Sequence, residues 1–182
     1  MAEIILNRDA GRRDGCLVDI EGIVKDFGIT PQLRRGFRKC VNGRWPIDPR
    51  FIFIEESHAK HPALYRSHLA GDFCHILLGY DLLASGETPE KLQQQTLATN
   101  EYLKINKDAQ YLAGAILFPK DIFLQKWKEC LEGAPEKSNR EELLYYCEEK
   151  LETMFCSTRN RILERAIDLN LMTTEELREF FT

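Results

Sequence analysis

From Ala63 to Leu83, apolar side chains recur at Leu64, Leu69, Phe73, Ile76, Leu77, Tyr80 and Leu83. That spacing predicts a long, largely buried helix, around which the remaining elements have to pack. Gly71 lies inside it, at a cost of about 1 kcal/mol relative to alanine. The chain's four histidines, His58, His61, His68 and His75, are all on this helix or just before it. A buried helix with every imidazole of the chain on it or just before it is the feature any fold has to accommodate.

The surrounding pattern is mostly helical. Leu17, Ile20, Ile23, Val24 and Phe27 predict a helix over 17–28, and Gly28 is placed to stop it. Phe51-Ile-Phe-Ile-Glu, preceded by Pro46 and Pro49, is the clearest strand, with weaker extended candidates at 3–6 and 41–45. Gly86 to Pro89 ends the long helix, and a polar, Gln-rich helix is expected over 89–105. Helices follow over 108–118 and, restarted by Pro119, through Cys130. Ser138-Asn-Arg-Glu and Thr173-Thr-Glu-Glu match the capping box and open two more helices, with another between them over 157–169. The expected fold class is α+β, mostly helical with one small β-sheet. At 182 residues one domain over 1–182 is the simplest organisation.

Composition narrows the function. With 25 basic and 29 acidic residues the net charge is −4, which argues against nonspecific nucleic-acid binding. One basic stretch stands out: Arg34, Arg35, Arg38, Lys39 and Arg44, with Phe37 and Trp45 interleaved. It reads either as a solvated face or as a surface that meets phosphate or an acidic partner. None of the six cysteines forms a CxxC pair, so a structural zinc knot is not expected. Cys74 beside His75 cannot act as its thiolate partner, because adjacent helix residues point about 100° apart. The absence of a basic, apolar leader and of any run of about 18 apolar residues predicts a cytoplasmic protein with no membrane span.

The chemistry of the sequence lies on the histidine-bearing helix. A metal-dependent peptidase needs two ligands one helical turn apart and a carboxylate beside them to take a proton from metal-bound water. His68, Asp72 and His75 stand at i, i+4 and i+7 and share one side of a helix. The bland reading of these residues is a set of hydrogen-bonded core or half-exposed side chains.

Arg66-Ser-His-Leu-Ala-Gly-Asp-Phe-Cys-His-Ile-Leu-Leu-Gly resembles the active-site helix of the ImmA/IrrE family of zincin-type metallopeptidases. Three further stretches match in order: Val18 to Ile29, Asp108-Ala-Gln-Tyr-Leu-Ala-Gly-Ala-Ile-Leu-Phe-Pro, and Leu151 to Leu171. The resemblance covers about residues 17–172 and implies a zincin-like domain. It places His75 on the second metal-binding histidine, Asp72 on the general-base glutamate and Asp108 on the third ligand, while Gly71 falls where the first histidine stands.

Two functional expectations follow from the resemblance. The first is a pseudopeptidase of transcription regulation, from the setting of bacterial mobile elements. Such a protein binds a partner such as a helix-turn-helix repressor without cutting it and needs no cofactor. The second is an active endopeptidase with a displaced site, in which His68, Asp72, His75 and Asp108 bind zinc or a harder divalent ion. Glycine offers no ligand and both carboxylates are one methylene short, so the first is preferred. Direct nucleic-acid binding is not expected in either case.

Overall fold

The computed structural model describes residues 2, 5, 13–35, 50–78, 100–136 and 138–179. In chain order the elements are β1 (Arg13–Asp14), β2 (Leu17–Val18), α1 (Ile20–Asp26), β3 (Thr30–Arg34) and β4 (Phe51–Glu55). A 3-10 turn (Glu56–Lys60) then leads into α2 (Pro62–Leu77), followed by α3 (Asn100–Leu117) and α4 (Lys120–Glu132). The chain closes with α5 (Arg140–Phe155), α6 (Arg159–Asp168) and α7 (Thr174–Glu179). The fold is α+β and mostly helical, as its sequence patterning predicts. The candidates at 41–45, most of 3–6, most of the Gln-rich helix and residues 79–83 lie outside the described residues.

The chain divides into two units, residues 20–113 and residues 1–19 with 114–182. In the first, β3 and β4 pair in parallel, with Thr30 beside Phe51 and Arg34 beside Glu55. Ile52 and Ile54 are buried while Phe51, Phe53 and Glu55 alternate with them, so β4 turns one face inward. The inward face meets α2, and α1 packs on both α2 and β3. Phe27 at the end of α1 sets its ring edge-on to Phe73 of α2, with centroids 5.2 Å apart. Gly28 adopts φ +75°, its amide donates to Lys25 and the amide of Ile29 donates to Val24. These two bonds and the left-handed glycine form a Schellman stop, the role its position in the sequence predicts.

β3 was not expected from its sequence. Pro31 argues against a strand, yet among the described residues this sheet has two strands and both are edges, where proline's missing donor is tolerated. Nor does the first helix begin at Leu17. Leu17–Val18 pairs antiparallel with Arg13–Asp14 across Gly15 and Cys16, and Gly15 takes φ +60° to make that tight turn.

The second unit is built from sequential helices, α4 against α5 and α5 against α6. Its centre is aromatic: the rings of Phe118, Phe123 and Phe155 lie 5.4–5.8 Å from one another. Arg165 on α6 is buried, and its Nε donates to the carbonyl of Phe118 at 3.2 Å. A cation at the end of α3 offsets the partial negative charge of that helix terminus. The capping box read at Ser138 forms one residue later, between Asn139 and Glu142. The one at Thr173 forms as read, each partner's backbone amide bonded to the other's side chain. α5 ends at Cys156, which takes the left-handed φ of +45°. There the amides of Cys156 and Ser157 donate to Thr153 and Glu152.

Candidate functional site

Helix α2 begins where proline fixes it. His61 occupies its N-cap without a side-chain bond, and Pro62 fills the first turn, where a missing amide donor costs nothing. The helix buries Ser67, Leu69, Ala70, Gly71, Phe73, Cys74 and His75, so most of its circumference is in the core. Its more open side carries Tyr65, His68, Asp72 and Ile76, all half-buried. Of the residues read as chemical, His68 and Asp72 are reachable from solvent, whereas His75 is 3% exposed. His68, Asp72 and His75 are each engaged with neighbours in the fold.

The 3-10 turn brings a further histidine against this helix. The rings of His58 and His68 stack with centroids 4.4 Å apart and planes 3° from parallel. Nδ1 of His58 is buried without a hydrogen-bond partner. From sequence, His58 is placed only just before this helix. A histidine about ten residues ahead of another, across a turn and a proline, carries no periodic signal that would pair them.

Asp108 is exposed on α3. The buried stripe of that helix runs through Ala109, Leu112, Ala113 and Ile116, and Asp108 sits one residue off it. Among the described residues no three of histidine, cysteine, aspartate and glutamate converge in an arrangement that could hold a metal ion. His68, Asp72, His75 and Asp108 are not gathered into one such site.

What the open side of α2 does hold is a tie to α1. The Tyr65 hydroxyl donates to Glu21 Oε2 at 3.1 Å, and Glu21 Oε1 accepts from Lys25 Nζ at 2.7 Å. Burial, and then the bond to Glu21, push the Tyr65 phenol up to about 12. It serves as a hydrogen-bond donor and not as a base near neutral pH. Sequence reading missed this tie, because a Glu and a Tyr 44 residues apart show no local pattern.

The second unit has its own polar cluster. Glu148 is buried on α5, with Arg159 Nε 3.4 Å from its carboxylate. The Arg159 guanidinium also lies 5.1 Å from the Tyr145 ring centroid. Burial pushes the Glu148 carboxyl up to about 7, and the neighbouring Arg159 opposes that shift. The described cysteines are free thiols, and Cys74, Cys130 and Cys147 are buried. Cys74 is core packing, as its sequence position suggests. No helix among the described residues is long and apolar enough to cross a membrane.

Comparison of the chain with models of protein families, with curated proteins and with solved structures found no match.

Proposed function

We propose that this chain is a degenerate ImmA/IrrE-like protein, a pseudopeptidase that binds a protein partner such as a helix-turn-helix repressor and does not cut it. The observation that carries this reading is the state of α2. Gly71, where the resemblance puts the first metal-binding histidine, is buried, as are Ala70, Phe73 and Cys74 of the same helix. A glycine there provides no ligand, and hydrolysis through zinc needs three protein ligands and an activated water. The exposed position of Asp108 further weakens a three-ligand arrangement.

The reading is tested with the purified full chain and a purified helix-turn-helix repressor. Titration calorimetry is expected to show binding, and mass spectrometry an intact repressor after prolonged incubation with zinc. Cleavage that a chelator abolishes would overturn the proposal in favour of the active endopeptidase.

A further inference from the structure

The face of β4 that turns away from α2 carries an unusual surface. Phe51 and Phe53 stack along the strand, with centroids 6.1 Å apart. The guanidinium carbon of Arg34 lies 3.8 Å above the Phe53 ring, and that of Arg50 lies 5.6 Å from the Phe51 ring. Arg34, Arg35 and Arg50 are exposed, whereas both phenylalanines are half-buried. Glu55 stands beside Arg34 in the ladder, but Arg34 turns back over the ring instead of pairing with it.

A guanidinium laid on an aromatic ring keeps its plane fixed while its N–H groups remain at the rim. Such a group has already lost much of the freedom that binding would otherwise remove, and it is shaped for bidentate contact with a planar anion. The local charge has the same sense. On and beside this face the described charges are Arg34, Arg35 and Arg50 against Glu55, in a chain of net charge −4.

We propose that this outward face of β3–β4, centred on Arg34 over Phe53, is a docking surface for an extended, acidic segment of a protein partner. A carboxylate of that segment pairs with the rim of the Arg34 guanidinium, and its backbone lies along the strands. The surface favours an acidic peptide over a single-stranded nucleic acid for two reasons. Arg34 already covers a face of Phe53 on which a base would stack. A long polyanion would also run beyond the patch onto a chain whose remaining charge is strongly negative, whereas a short acidic segment would not. The proposal stands on β3–β4 and is independent of what α2 binds.

Fluorescence anisotropy on the full chain tests it, with a labelled peptide of about a dozen residues that alternates glutamate with serine and an oligothymidylate of equal charge. The peptide is expected to bind at low salt and the oligothymidylate more weakly. Arg34→Ala and Arg34→Lys should each weaken the peptide by about tenfold, because lysine keeps the charge and loses the planar fork. Arg35→Lys should leave binding within about twofold, since Arg35 is not stacked. Arg34→Lys binding as tightly as the parent, equal loss in the two lysine variants, tighter binding of the oligothymidylate, or no peptide binding would each overturn it.

Discussion

The imidazoles of His58 and His68 lie face to face, 4.4 Å between centroids and 3° from parallel. A metal ion binds in the plane of an imidazole, along a nitrogen lone pair, about 2.0–2.1 Å from that nitrogen. Two parallel rings in separate planes cannot both contain one ion, so this stack excludes joint chelation by the pair. Equimolar zinc is therefore expected to leave the melting temperature of the chain unchanged, and His68→Ala to respond to zinc as the parent does. A zinc-induced rise in melting temperature that disappears in His68→Ala would show that the stack opens to admit the ion.

The register of the resemblance makes its own prediction. Gly71→His with Asp72→Glu rebuilds His-Glu-x-x-His on α2, with His75 as the existing second histidine. The double variant is expected to bind zinc where the parent does not, although placing a ring at buried Gly71 costs about 1–3 kcal/mol through overpacking. Metal content per chain after desalting reads the result. A folded double variant without zinc would mean that Gly71 does not occupy the position of the missing ligand.

Cys156 carries a left-handed φ of +45° at the end of α5. Side chains with a Cβ pay about 1–2 kcal/mol in that conformation, and glycine's greater unfolded-state freedom offsets about 0.5–1 kcal/mol of the gain from replacing them. Cys156→Gly should thus stabilise the protein by about 0.5–1 kcal/mol, measured as a higher urea midpoint with an unchanged slope. Cys156→Val should lower the midpoint. If both variants shift in the same direction, backbone strain does not govern the site.

Glu148 links stability to pH. Its folded carboxyl titrates at about 7, above the ordinary value of 4.5, mainly through burial. Between those values the folded chain holds a proton that the unfolded chain has released. The contribution is fully present below about 4.5 and is lost as the pH rises through about 7. Glu148→Gln cannot release that proton. Its urea midpoint should fall less than the parent's between about pH 5 and pH 8. Equal slopes in the two proteins would assign the pH dependence to other groups.

Much of the fold could be read from sequence because the deciding signals are local. Pro62 starts α2, Gly28 stops α1, Pro119 separates α3 from α4, and the Thr173–Glu176 box opens α7 where it was read. The strand Phe51–Glu55 has the boundaries that its short apolar run, preceded by Pro46 and Pro49, predicts. Failures came where partners set the structure. β3 exists because β4 lies beside it, a pairing that Pro31 conceals in a single-sequence reading. At the candidate site, helical spacing put His68, Asp72 and His75 on one side of α2, and of these His68 and Asp72 are half-buried. It could not show that His75 would be buried, that Asp108 would face solvent, or that His58 would cross a turn to stack on His68.

The parallel pairing of β3 with β4 also sets an order of events in time. Thr30 meets Phe51 only after the intervening chain has been drawn into a closed loop, and that entropy is lost before any ladder bond forms. The helices from α4 to α6 meet sequence neighbours and need no such closure. Contacts close in sequence form faster than distant ones, so the α4–α6 packing should acquire protection from hydrogen exchange before the β3–β4 ladder does during refolding.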